Sequence, residues 1–113
     1  MQVLFESRDP QGAQWRELAV RRLRFVLRRL TWLVPRARVQ LSDVNGPRGG
    51  VDKHCQVELE TVGRRKVVVA SVAADWRVAI DTALTRAARL LQRTWQRSSA
   101  PRRARPRLVD SDL

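Results

Sequence analysis

The chain of 113 residues contains no tyrosine, one histidine (His54), one cysteine (Cys55) and only two lysines, Lys53 and Lys66. A single cysteine excludes an internal disulfide and a cysteine-based zinc cluster, and a lone histidine leaves no imidazole set for a metal. No metal and no cofactor is expected. Both scarcities fit a reducing, cytoplasmic setting. Apolar runs are short and broken by arginine, and none approaches the roughly 18 residues of a membrane span. Met1–Asp9 lacks the basic-then-apolar order of a secretory signal. Acidic residues are also few: 11 stand against 23 basic ones, a net charge of +12.

What is abundant is arginine. Its planar fork of donors can hold a phosphate at two points and stays charged when partly desolvated. Codon usage in a GC-rich genome accounts for arginine over lysine but not for the net excess. A surplus of this size draws the protein to polyanions. Hydrophobic residues at 43% are enough for one modest core, so one folded domain is expected over residues 1–97. Residues 98–113 carry four arginines, two prolines and little to bury, and they read as a disordered basic tail.

Apolar periodicity predicts the order β-α-β-β-β-α. Val3 and Phe5 share one face of a strand over Met1–Ser7, and Asp9, Pro10 and Gly12 form a turn. Trp15, Ala19, Leu23, Val26, Leu30 and Leu33 step by threes and fours, which predicts a helix from about Gln14 to Leu33, ended by Pro35. Ala37, Val39 and Leu41 alternate with polar residues, as do Cys55, Val57 and Leu59, so each set faces a core. The Asn45–Gly50 segment between them reads as a loop, and Gly63 as a hairpin turn. Lys66–Val72 is a fourth strand whose inward face the β-branched run does not define. Asp75 is placed to cap a second helix from Trp76 to Arg97, with Trp76, Ile80, Ala83, Leu84, Ala87 and Leu91 inward. An α+β fold follows: a four-stranded sheet with two helices on one face, the first strand parallel to the second.

At about 100° per residue, Arg21, Arg24 and Arg28 lie together opposite the apolar stripe of the first helix, and Arg22 and Arg29 flank it. Arg86, Arg89 and Arg93 form a second stripe on the second helix, continued by Arg97. Like charges at these spacings destabilise a helix by tenths of a kcal/mol, so local stability does not account for them, whereas an anionic partner does. Catalytic groups are poorly provided. Asp43 and Asp52 flank a loop without a His or Cys partner, Cys55 falls on the core parity of its strand, and the Gly-rich loop lacks the Gly-Lys-Ser/Thr ending of a phosphate cradle. No enzyme and no small-molecule substrate is expected. Trp15 and Trp76 fall on inner faces, while Trp32 and Trp95 lie near helix ends, placed either to pack or to stack on a base.

The stretch VQLSDVNGPRGGVDKHC (Val39–Cys55), the Ala79-Ile80-Asp81 triplet, and Arg21-Arg22-Leu23-Arg24 resemble the bacterial ribosome hibernation promoting factor family, also called ribosome-associated inhibitor or sigma modulation proteins. The similarity covers about residues 1–97. Arg77 stands where the family has tyrosine in Asp-x-Tyr-x-Ala-Ile-Asp. The resemblance implies a fold like a double-stranded-RNA-binding domain, docked by its basic helical face on ribosomal RNA of the small subunit, where it occludes the messenger and transfer RNA channel. Carried over by position, the RNA-facing residues are Arg21, Arg22, Arg24, Arg28, Arg29, Lys53, Arg86, Arg89 and Arg93. The family's longer form adds a ribosome-pairing domain; none is legible here, so a short form, monomeric off the ribosome, is expected. The alternative is a general basic module for nucleic acid or for an acidic protein.

Overall fold

Strand alternation is the strongest organiser of this chain, and the computed structural model, which describes residues 1–43, 52–63 and 65–104, follows it closely. The elements are β1 (Gln2–Ser7), a 3-10 helix (Pro10–Trp15), α1 (Arg16–Val26), a 3-10 turn (Thr31–Leu33), β2 (Arg36–Asp43), β3 (Lys53–Glu60), β4 (Lys66–Ala73) and α2 (Trp76–Ala104). The sheet runs in the order β1-β2-β3-β4. β1 is parallel to β2, as expected of a crossover through a helix, and the other two pairs are antiparallel. The loop expected at Asn45–Gly50 lies outside the described residues.

Register puts one parity of every strand under the helices. Ala37, Val39 and Leu41 on β2 and Cys55, Val57 and Leu59 on β3 are fully buried. The face of β4 that periodicity leaves open is settled by its partners. Leu59 pairs with Val67, Val57 with Val69 and Cys55 with Ser71, so Val67, Val69 and Ser71 point inward. The inner face of α2 is the expected one: Trp76, Ile80, Ala83, Leu84, Ala87 and Leu91 are all buried. Asp75 caps that helix, its Oδ1 accepting from the Arg77 N–H at 2.7 Å. Among the described residues no helix is long and apolar enough to cross a membrane.

The first helix departs from expectation. It is not continuous from Gln14 to Leu33. A 3-10 helix, capped by the Asp9 side chain, occupies Pro10–Trp15, and α1 ends at Val26. Beyond it, Arg28 N–H bonds Phe25 C=O, Leu30 bonds Leu27, Leu33 bonds Leu30 and Val34 bonds Thr31, all three residues back. Length supplies the reason. β2 must begin beside the start of β1, since Gln2 pairs with Arg36. Six strand residues span about 20 Å and an 11-residue helix about 16 Å, whereas a helix to Leu33 spans about 27 Å and overshoots. The tightened turns still deliver Leu27, Leu33 and Val34 to the core. At the other end, α2 continues past the expected stop at Arg97, through Pro101, to Ala104. The proline removes one main-chain bond near the helix end, where few others depend on it. Residues 105–113 lie outside the described residues.

Candidate nucleic-acid interface

Unpaired positive charge is concentrated on one side of the molecule. On the open side of the sheet Arg38 and Lys66 are paired and Arg36 makes no ion pair among the described residues. Arg38 Nη2 lies 2.6 Å from Glu6 Oε1, and Lys66 Nζ lies 3.5 Å from Glu58. The hydrogen bond to Glu6, then its charge, holds the Arg38 guanidinium above its ordinary pKa. On the helical side, Arg22 meets Asp81 at 3.6 Å. Among the described residues, Arg21, Arg24, Arg28, Arg29, Arg86, Arg89 and Arg93 make no ion pair. All seven are exposed. Their charge is available to a partner at no cost in broken carboxylate contacts.

The structure distributes them in a way the helical wheel does not. Arg28 and Arg29 sit in the turns beyond α1, not on it. There they meet α2: a groove of about 550 Å³ is lined by Arg28, Arg29 and Arg89, with Leu30, Trp32 and Trp95. Arg93 shares the next hollow along α2 with Arg89, Gln92 and Gln96. Arg21 and Arg24 line a separate hollow with Val3 and Gln14, on the β1 side of α1. Arg86 leans the other way, donating to Ala70 C=O on β4 at 3.2 Å. The two stripes therefore converge at one groove and spread from it toward both sheet edges.

One of these arginines is oriented by its neighbour, and another orients a tryptophan through its main chain. Arg28 donates to Phe25 C=O at 2.9 Å and stacks 4.3 Å above the Phe25 ring, a cation–π contact that fixes the fork while leaving it exposed. Arg29 offers its carbonyl to Trp32 Nε1 at 3.2 Å. Trp32 and Trp95 form an edge-to-face pair, centroids 6.1 Å apart at 83°. Neither is in the core.

Lys53 has a different position from the other predicted residues. Hairpin register places it opposite Asp43, and its Nζ lies 2.7 Å from Asp43 and 3.5 Å from Asp52. Its side chain is 15% exposed and Asp52 is fully buried. The hydrogen bond to Asp43 raises the Lys53 pKa, against a smaller opposing effect of burial. Its ammonium also lies 5.6 Å from the Trp76 ring centroid. The geometry thus makes Lys53 a clamp between the ends of β2 and β3 and the start of α2. Sequence reasoning missed this cluster, and the available signal was the position-for-position pairing of Asp43 with Lys53 across the hairpin.

Cys55 is buried and free, and burial pushes its thiol from 9.0 up to about 12. It remains a neutral core residue at ordinary pH. Gly12, buried in the 3-10 helix, packs so closely on β1 and β2 that an added Cβ would run into Ser7 Oγ and press on Leu41. This close approach seats the segment leading into α1.

The fold is similar to that of the Thermus thermophilus Protein Y N-terminal domain. The TM-score is 0.62 at 21% identity, over 83% of this chain and 99% of that one. At that identity the likeness concerns the fold. No family model and no curated protein matches the sequence.

Proposed function

We propose that this chain is a ribosome-associated hibernation factor that binds small-subunit ribosomal RNA through its helical layer and occludes the messenger and transfer RNA channel. The observation that carries the reading is the concentration of unpaired charge on the helical layer. Seven exposed arginines on and beside the two helices have no ion-pair partner among the described residues, whereas on the open face of the sheet Arg38 and Lys66 are paired and Arg36 is not. Folded RNA presents phosphates along several lines at once, and a groove with basic flanks on both sides suits that layout better than a single extended peptide does. The Val39–Cys55 motif and the fold shared with the Protein Y N-terminal domain support the same reading.

In this role the working residues are Arg21, Arg24, Arg28, Arg29, Arg86, Arg89 and Arg93. Arg22 contributes part of its charge and retains Asp81. Lys53 acts behind the interface by fixing the start of β3 against α2. The protein acts by occupying space and not by catalysis, works in the cytoplasm and is monomeric off the ribosome. Sucrose-gradient sedimentation with purified subunits tests the proposal. The chain should travel with small subunits and be absent from large-subunit fractions. Equal distribution over both, or over any duplex RNA added in excess, would instead mark a general basic nucleic-acid module.

A further inference from the structure

The groove between the turns after α1 and the outer side of α2 contains more than cations. Trp32 is 61% exposed, the most open of the large apolar residues on the helical side, yet its ring is held at two points. Its Nε1 donates to Arg29 C=O at 3.2 Å, and Trp95 meets it edge-to-face. An indole kept out of the core gains little from burial and would ordinarily be free to rotate. This one is fixed in advance, which lowers the entropy lost when something settles on it. With more than half of its surface exposed, the Trp32 ring offers planar area to a partner. Below lie Val26, Leu30 and Ala88, and the rim carries Arg28, Arg29 and Arg89. A volume of about 550 Å³ falls within the range of pockets that hold small molecules, about 300–1,000 Å³.

A flat apolar surface beside three guanidinium groups matches one ligand chemistry closely: a planar base joined to phosphate. An acidic peptide would use the arginines and leave the indole idle. We infer that this groove holds one unpaired nucleotide of the bound RNA, with its base stacked on Trp32 and its flanking phosphates on Arg28, Arg29 and Arg89. The inference rests on the RNA-binding reading above and adds a contact that phosphate binding alone does not require. Stacking on an aromatic ring tolerates any base, so the groove selects for an unstacked nucleotide and not for a sequence.

The test compares the full chain with Trp32→Ala, Trp32→Phe and the triple variant Arg28→Gln/Arg29→Gln/Arg89→Gln. The probes are small ribosomal subunits and an end-labelled single-stranded oligoadenylate, each at several salt concentrations. Trp32→Ala should weaken oligoadenylate binding about 5- to 150-fold, the worth of one base–aromatic stack, with its salt slope unchanged. Trp32→Phe should recover most of that loss. The arginine variant should instead flatten the slope. Intrinsic fluorescence gives a second readout. Oligoadenylate should quench the parent chain, and Trp32→Phe should lose part of that quenching while keeping its affinity. Equal affinity of Trp32→Ala and the parent, or equal quenching of parent and Trp32→Phe, would overturn the stacking site and leave the ribosome reading standing. If the parent chain binds neither small subunits nor oligoadenylate, both readings fall together.

Discussion

Replacing Arg28, Arg29 and Arg89 with glutamine removes three positive charges from one groove and leaves the core intact, because all three side chains are exposed. Each phosphate contact releases counterions and steepens the dependence of log affinity on log salt by roughly 0.7–0.9. If all three reach phosphates, the slope should flatten by about 2.1–2.7. Between 50 and 200 mM salt, that means the parent chain loses about 20- to 40-fold more affinity than the variant. Net charge alone produces a weaker, placeless effect, so the matched control matters. Arg36, Arg38 and Lys66 lie exposed on the open face of the sheet, and changing them to glutamine removes the same three charges. Loss of Arg38 and Lys66 breaks two surface pairs, with Glu6 and Glu58, worth about 0–1 kcal/mol each, which thermal melts will register. Fluorescence-detected binding to small subunits over a salt series reads both variants. The helical variant should flatten the slope and the open-face variant should leave it nearly parallel to the parent. Equal flattening by both would refute a localised interface, and no flattening by the helical variant would refute the groove as its centre.

Three further outcomes follow from the packing. Leu27→Ala should cost about 2–5 kcal/mol in urea unfolding, because Leu27 is fully buried just beyond α1; a cost under 1 kcal/mol would mean that these turns do not seat in the core. Asp75→Ala should cost about 0.5–2 kcal/mol by removing the cap on α2, measured as a shift in urea midpoint with an unchanged m-value. Cys55 should resist alkylation in the native protein and react once denaturant is added, since burial pushes its thiol to about 12. The same residue gives a pH signature. The folded state holds the thiol proton more tightly than the unfolded chain, so its contribution is complete below about pH 9 and is lost as pH rises from 9.0 to about 12. Lys53 contributes with the same sign above its ordinary 10.5. Comparison with Cys55→Ala therefore isolates the thiol: the variant's stability should fall less steeply over that window.

Much of the sheet was legible in the sequence because alternation is a two-residue signal that tertiary structure seldom overrides. Ala37-Val39-Leu41 and Cys55-Val57-Leu59 point inward as their patterns require. The inner face of α2 and its Asp75 cap were equally readable. The end of α1 was not. Leucines spaced three and four apart satisfy an α-helix and a series of three-residue turns alike, and the stop at Val26 is set by where β2 must start. Leu27 and Val34, both buried, fall outside the stripe that the helical reading drew. Val67–Val69 offers no alternation, so the inward face of β4 came only from its pairing with β3. The cationic stripes were visible as such, but their convergence was not. Arg28 and Arg29 reach the groove because the helix ends before them, and Trp32 meets Trp95 across 63 positions of chain that no local pattern links. Lys53 stood out by motif, yet its fixed position between Asp43 and Asp52 depends on hairpin register.

If the chain occludes the channel used by messenger and transfer RNA, it and those RNAs exclude one another, and displacement reads this out. Small subunits are loaded with the fluorescently labelled chain, then titrated with messenger and initiator transfer RNA while anisotropy is followed. The chain should be released as the subunit fills, and the RNAs should fail to enter when the chain is in excess. Stable co-occupancy of chain, messenger and initiator transfer RNA on one subunit would contradict occlusion.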